Sequence, residues 1–407
     1  MLNFALNLCA ILILASFLLT VYHEKSKIEV TTRDSSTSRI SVSKRIFDKA
    51  SYPPIANLSS FMMNHEMIIN TDSSYYPQYK SLLDIISRWN PDEADPPVIF
   101  QETIQHFNYS DINERKMAQY YRDYEIPFKL YDIPDIEKVA LKWSDEDYLK
   151  GELNQIAPHV EESKSNHFMY WSLRGAKTND FTPPTKLVKL NFNEWLTKAH
   201  AADIKKIKSS EKHYYFMTGS LKGDDHRSFT THSLTHSLTH SLKGDDHRSF
   251  IARDFNNIFT DLPQPNFFIT NINANKGVQC RFAMRGIIAE AHYDSGRNMI
   301  AMIKGSKRYI LTPPSTCKQL GIIADSKHPS YRHSVIDWSD IRQAKSHNFN
   351  NVPAIDTIVR EGEILYIPSY WFHYIIALEY SIQCNSRSGS PPNKEGLDYI
   401  NKCFAIK

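Results

Sequence analysis

The sequence predicts a mainly β fold, a sandwich or barrel with flanking α-helices. Three observations carry this. From residue 266 onward, short β-branched or aromatic runs alternate with Gly and Pro. Aromatic residues make up 12% of the chain, with 22 Tyr and 21 Phe, types that fit a pleated, half-buried surface. His292-Tyr293-Asp294 places a His and an Asp two residues apart, where an extended strand turns both to one face.

At 407 residues the chain exceeds a typical domain, yet one β-rich core with decoration accounts for it. A hydrophobic content of 41% is ample for that core. The net charge of +3 argues against a nucleic-acid binder that works by phosphate neutralisation, so no nucleic-acid partner is expected. The five cysteines, Cys9, Cys280, Cys317, Cys384 and Cys403, contain no Cys-x-x-Cys pair and hence no visible structural zinc site. Their spacing suggests no disulfide framework, and they are expected to be buried thiols.

Residues 1–23 form an apolar segment, uncharged from Phe4 to Val21. A spanning helix takes about 20 residues, with about 17 as the lower bound. No Lys or Arg precedes the segment and no clean small-residue cleavage site follows it. The expectation is an uncleaved single-pass membrane anchor, with a cleaved signal as the alternative. Lys25, Lys27 and Arg33 would hold the following side in the cytosol, whereas the sequons at Asn57 and Asn108 suit a lumen. Long downstream regions translocate largely regardless of charge, so a luminal location in the secretory pathway is expected. Residues 24–60 are a Ser/Thr-rich linker that buries little.

Residues 61–190 mix α and β signals. Tyr79 to Arg88 has its apolar positions on one helical face. Ile126 to Asp135 opens the ordered unit. A helix is expected to start near Trp143 with Ser144 as its N-cap and acids in the first turn. In the following region, 191–390, Asn193 to Ala199 reads as a short helix. Residues 217–250 contain Ser-Leu-Lys-Gly-Asp-Asp-His-Arg-Ser-Phe at 220–229 and again at 241–250, separated by Thr-His-Ser-Leu repeats. His232, His236 and His240 would share one helical face and suit a metal. A tandem expansion in a surface loop is the plainer reading. Strands are expected over Phe267–Ile272, Gln279–Met284, Asn298–Ile303, Arg308–Thr312 and Glu363–Ile367. Residues 391–407 form a C-terminal tail.

His292 and Asp294, joined by His373 from a strand that lies beside them only after folding, make a two-His, one-carboxylate ligand set. Mixed N/O ligation on one face suits Fe(II) and leaves positions open for a co-substrate and O₂. His-x-Asp alone is a weak signal in a chain with 17 His. Here it lies in a longer run, from Ala291 to Pro314. That run, together with Gly362 to His373, resembles the metal-binding segments of the JmjC-type, cupin-like (cupin-8) Fe(II)/2-oxoglutarate oxygenases, and among them the asparaginyl hydroxylases. The likeness is strong over 285–389 and weak over 135–284.

The resemblance implies a double-stranded β-helix (jelly-roll) core for 191–390. It implies catalysis at an iron held by His292, Asp294 and His373. It implies that Lys307 pairs with the distal carboxylate of 2-oxoglutarate, a charge-assisted contact at the dry end of a pocket. Lys307 shares strand parity with Tyr309 and Leu311; Lys304 and Arg308 compete for the role but read as solvated hairpin charges. Asn298 and Asn385 match asparagines that line the co-substrate and metal pocket. Tyr215, beside Tyr214, matches a tyrosine whose hydroxyl helps bind 2-oxoglutarate. There are two departures. Ala289 stands where the relatives carry a co-substrate-binding Thr, and Arg387 replaces an aromatic residue, a change that could admit an acidic or phosphorylated target. A long C-terminal helical dimerisation region is missing, so a monomer is expected. The function expected is a 2-oxoglutarate-dependent dioxygenase that hydroxylates a protein or other target. A JmjC lysine demethylase and a catalytically silent cupin-like binding protein are the alternatives.

Overall fold

Alternating side-chain direction along the central strands builds two sheets, each with one face toward a shared interior. The computed structural model describes residues 77–154, 159–172, 181–219, 258, 261–262, 275–388 and 394–405. The order begins β1 (Lys80–Ser81), α1 (Leu82–Arg88), β2 (His106–Asn108), α2 (Ile112–Asp123), β3 (Phe128–Tyr131), α3 (Pro134–Trp143) and α4 (Glu146–Leu153). It continues with β4 (His159–Ser163), β5 (His167–Phe168), β6 (Thr185–Val188), α5 (Phe192–Lys205), β7 (His213–Gly219), β8 (Asn275–Ala283), β9 (Ile288–Tyr293), β10 (Arg297–Lys304) and β11 (Ser306–Thr312). Last come α6 (Ile341–Ser346), β12 (Pro353–Arg360), β13 (Ile364–Ile367), β14 (Phe372–Ala377), β15 (Ser381–Ser388) and α7 (Glu395–Phe404).

One sheet has six strands in the order β1-β12-β11-β14-β9-β5; the other has nine, β2-β3-β13-β10-β15-β8-β7-β4-β6. From β8 to β15 the chain crosses between sheets at every step except β11 to β12, the winding of a jelly roll. Strands β2, β3, β4 and β6, from the N-terminal region, extend the nine-stranded sheet at its two ends.

The interior between the sheets takes Tyr309, Leu311, Ile355 and Ile375 from one side and Ile300, Met302 and Leu365 from the other. The outer face of the nine-stranded sheet is covered by helices. Phe282 on β8 meets Trp143 of α3 at 6.4 Å and Phe192 of α5 at 5.6 Å between ring centroids. Burying each such ring is worth about 1.5–3 kcal/mol. The outer face of the six-stranded sheet has its own cluster, in which Tyr374 stacks on Trp338 at 5.2 Å beside Leu82, Ile85 and Ile86 of α1.

Local sequence explains the helix ends. Ser81 caps α1, accepting from the Asp84 N–H. Asn191 and Glu194 form a reciprocal capping box at the start of α5. That helix runs well past the expected 193–199, because Leu196, Ala199 and Ala202 continue its buried stripe, and it stops where Lys206 turns left-handed at φ 49°. The cap of α4 is Asp145 rather than Ser144: the Asp145 carboxylate accepts from the Asp147 and Tyr148 N–H groups, while Ser144 closes the preceding helix α3. Between β10 and β11, Gly305 has φ +68°, and a Cβ there would run into the Tyr380 carbonyl. This turn sets the register of β11 and hence which of its residues point inward.

Two expectations are corrected. The cysteines are not all free thiols: Cys280 pairs with Cys384 and Cys317 with Cys403. Cys280 and Cys384 are direct register partners on β8 and β15, a proximity that sequence spacing does not reveal. The Cys317 bond ties down α7, so part of the expected C-terminal tail is a docked helix. The single-pass membrane assignment, with its luminal location, does not stand either. Among the described residues no helix is long and apolar enough to cross a membrane. The apolar segment 1–23, the linker 24–60, residues 220–250 of the repeat insertion and the strand expected over 267–272 lie outside the described residues.

Candidate metal centre

β9 and β14 pair antiparallel with His292 directly opposite His373. Their rings lie 4.2 Å apart between centroids. Asp294 follows just beyond the end of β9, where its carbonyl accepts from the Tyr370 N–H at 2.7 Å. The ligand atoms of His292, Asp294 and His373 all fall within 4.8 Å of one another. His373 Nε2 lies 4.0 Å from Asp294 Oδ2.

Both imidazoles are oriented in the same way. His292 Nδ1 lies 2.7 Å from the Glu290 carbonyl and His373 Nδ1 lies 3.1 Å from the Trp371 carbonyl. Only an N–H can serve a carbonyl, so each Nδ1 carries the proton and each Nε2 lone pair is left for a metal. Burial pushes both histidines below the usual range, so the neutral, ligating form prevails. Burial opposes the charge on Asp294, but Arg387 and Arg332 outweigh it and hold the carboxyl well below the usual range. The donor set therefore fits a divalent metal: two neutral nitrogens and one carboxylate on adjoining strand ends.

A chain of amides adjoins the carboxylate. Asn385 Nδ2 donates to Asn298 Oδ1 at 3.2 Å, and Asn298 Nδ2 donates to Asp294 Oδ2 at 3.3 Å. The two asparagines sit on neighbouring strands, β15 and β10, with Asn385 opposite Ile300 and Asn298 opposite Arg387.

Lys307 lies farther along the same wall. On β11, Leu311 faces His373, Tyr309 faces Ile375, and Lys307 faces Ala377. Four residues of strand separate Lys307 from the metal level, roughly 13 Å along the backbone. The Lys307 side chain is 2% exposed, its Nζ lies 5.5 Å from the Tyr215 ring centroid, and no carboxylate among the described residues pairs with it. Burial, then the charge of Arg281, pushes its ammonium well below the ordinary value. Burial likewise pushes the Tyr215 hydroxyl up to about 12. Ala289, opposite Ile375, offers no hydroxyl to this wall.

Three residues join the site beyond those marked from the sequence. Arg281 on β8 is the register partner of Gln383, whose Oε1 accepts from the Tyr309 hydroxyl at 2.6 Å. Its strand alternates Gln279, Arg281 with Cys280, Phe282, a pattern that marks the charged face as distinct from the core face. Arg332 donates through Nη1 to Asp294 Oδ1 at 2.9 Å. His333 stacks on His292 at 5.0 Å, and burial pushes it down to about 4. The last two come from a loop after β11 with no sequence pattern of its own. Lys304 and Arg308 stand apart from the site. Lys304 pairs with Glu146 at 3.4 Å. Arg308 is not a solvated hairpin charge: it is fully buried on the outer face against Asp356 and Trp89.

A family model described as a cupin-like domain matches residues 97–386. The lysine-specific demethylase JMJ30 of Arabidopsis thaliana is 26% identical over 127 residues, covering 31% of this chain and 29% of that protein. The tRNA wybutosine-synthesizing protein 5 of Danio rerio is 27% identical over 105 residues, 26% of this chain and 30% of that protein. The JmjC domain-containing protein D of Dictyostelium discoideum is 29% identical over 111 residues, 27% of this chain and 25% of that protein. The chain thus spans under a third of the length of these curated relatives.

Proposed function

The chain belongs to the cupin-like domain family, and from that premise we propose that it is an Fe(II)- and 2-oxoglutarate-dependent dioxygenase that hydroxylates a C–H bond of its target. The observation that carries this is the pairing of two features in one interior. His292, Asp294 and His373 converge at one level, and a buried, carboxylate-free Lys307 waits farther along the same wall. A dicarboxylate spanning the two levels would supply the anion that Lys307 lacks.

A metal held by His292, Asp294 and His373 would supply the redox chemistry, in which O₂ and 2-oxoglutarate would be converted to succinate and CO₂, one oxygen atom going to succinate and the other to the target as hydroxyl. The protein's own residues do the positioning. His292 and His373 hold Nε2 toward the centre through their backbone-anchored Nδ1 atoms. Asn298 and Asn385 hold Asp294 in orientation. Lys307 fixes the far end of the co-substrate, with Tyr215 beside it. The apolar wall of Leu311, Ile375 and Ile300 keeps water from the space between.

Relatives named as lysine- and arginine-specific demethylases favour a second reading, attack on an N-methyl group, which begins with the same hydroxylation. A relative named for tRNA wybutosine synthesis brings a nucleobase into consideration beside a protein target. The test is iron-dependent conversion of 2-oxoglutarate to succinate by purified protein, expected to disappear in His373→Ala. Material captured by inactive His292→Ala protein then separates the readings, because demethylation releases formaldehyde and hydroxylation leaves the oxygen on the product. Succinate formation that survives His373→Ala would refute the proposal.

A further inference from the structure

We propose that the mouth of this centre recognises an anionic oxygen group on the target, a carboxylate or a phosphate beside the C–H bond under attack, with Arg387 as principal donor and Arg332 as the second. The inference rests on the oxygenase reading above and adds the chemical class of the target.

Arg387 points inward from β15, two residues past Asn385. Its side chain is 33% exposed, so it lies at the opening rather than in the depth of the site. Among the described residues its only partner is Asp294, reached by Nη2 at 2.8 Å. Its Nε is buried and has no hydrogen-bond partner. A guanidinium carries five donors in a fixed fork, and a buried donor left idle is unusual enough to require a reason. Arg332 approaches the same carboxylate from the other side, giving Nη1 to Asp294 Oδ1 at 2.9 Å and to the Tyr293 carbonyl at 3.3 Å. It is held there by a left-handed backbone, φ +68°, which a non-glycine residue adopts only when its surroundings impose it.

Charge decides what these groups are for. The described residues bring Arg281, Lys307, Arg332 and Arg387 to the interior and its mouth, against the carboxylates of Asp294 and Glu161. A bound metal dication and the 2-oxoglutarate dianion would cancel each other. Two positive charges remain in excess, and Asp294 has less to offer both arginines once it also serves a metal. Both arginines are only partly exposed, so water satisfies their donors incompletely. A target that brings its own carboxylate or phosphate satisfies them and gains charge-assisted, bidentate hydrogen bonds of fixed orientation. The same contact would place a neighbouring C–H over the metal.

The test uses the whole protein loaded with Zn(II), a diamagnetic occupant of the same ligands, and saturated with 2-oxoglutarate. Nitrogen-15 arginine labelling makes the Arg387 Nε resonance visible, and its loss in Arg387→Lys assigns it. Inorganic phosphate and acetate are the probes. A saturable shift is expected with one or both, acetate alone marking a carboxylate-bearing target and phosphate alone a phosphorylated one. Arg387→Gln should weaken that binding at least ~10-fold, about 1.4 kcal/mol, with a smaller loss in Arg332→Gln; retained 2-oxoglutarate binding shows that each variant is folded. If neither probe produces a saturable shift, or if a probe acts only by displacing 2-oxoglutarate, the inference is overturned while the oxygenase reading stands. If Zn(II) and 2-oxoglutarate themselves fail to bind, both fall.

Discussion

Lys307 and Arg308 are adjacent on β11 and both buried, yet they lie on opposite faces of the six-stranded sheet: Lys307 beneath Tyr215 in the interior, Arg308 against Asp356 and Trp89 outside it. The period-2 alternation of a strand separates them completely. One is a cation without a carboxylate among the described residues. The other donates from Nε and Nη2 to the two oxygens of Asp356, each at 2.8 Å.

Lys307→Met should therefore raise the Michaelis constant for 2-oxoglutarate at least ~100-fold, since an unpaired buried charge costs ~3–5 kcal/mol and each tenfold is ~1.4 kcal/mol. Iron content should be unchanged. The same substitution should stabilise the ligand-free protein. The sign follows from the depressed folded-state pKa of this lysine: between that value and its unfolded value near ~10.4, the unfolded chain binds the extra proton, so stability rises with pH. Melting temperatures across that window should climb in the wild type and flatten in Lys307→Met. A variant that loses stability at neutral pH would show that Lys307 has a partner in the resting protein. Lys304→Met, altering a partly exposed ion pair, should match wild type in turnover.

Arg308→Met should behave in the opposite way. It strands the buried carboxylate of Asp356 and should cost ~3–5 kcal/mol in denaturant unfolding, with little change in 2-oxoglutarate affinity at temperatures where the protein remains folded. A near-neutral unfolding midpoint would mean that Asp356 finds another partner.

These two residues also show what could be read in advance. That His292 shares a strand face with Asp294, and Lys307 with Tyr309 and Leu311, was legible because strand parity needs only sequence spacing; that the Lys307 face turns inward was an expectation from the family resemblance. The helical stripe beginning after Tyr79 was legible from its own spacing of three and four residues. The burial of Arg308 was not, because it depends on α1 arriving over the outer face with Trp89. Nor were the two disulfides, whose partners lie 104 and 86 residues apart and meet only through strand register and helix docking. Arg332 was invisible because its loop carries no periodicity.

His167 should give a pH signature of its own. Its Nδ1 meets Glu290 Oε1 at 2.5 Å and its Nε2 lies 3.4 Å from Asp92. Burial works against the charged ring, but Asp92 and Glu290 outweigh it and push the pKa up to about 10. A raised pKa contributes stability that is fully present below the unfolded value near ~6.5 and is lost as pH rises through about 10. His167→Gln should melt below wild type at acidic to neutral pH, and the gap should close toward the alkaline end. A gap that is constant with pH would assign His167 to packing alone.

The Cys317–Cys403 bond closes a span of 86 residues and anchors α7. Replacing both cysteines with Ser should lower unfolding free energy by about 2–4 kcal/mol and expose Lys402 to trypsin. An unchanged digestion pattern would show that Ile400 and its neighbours hold the helix without the bond.

On the proposed function, His292, Asp294 and His373 bind iron and this iron meets 2-oxoglutarate. The most direct measurement is an anaerobic titration of the iron-reconstituted protein with 2-oxoglutarate, followed by visible absorption and paired with iron content. Wild type should retain about one iron per chain, the capacity of a single facial ligand set, and develop a saturable metal-to-ligand charge-transfer band. Asp294→Ala should do neither while keeping its far-ultraviolet circular dichroism. An Asp294→Ala protein that retains iron and develops the same band would contradict the account, as would a folded wild-type protein that binds no iron.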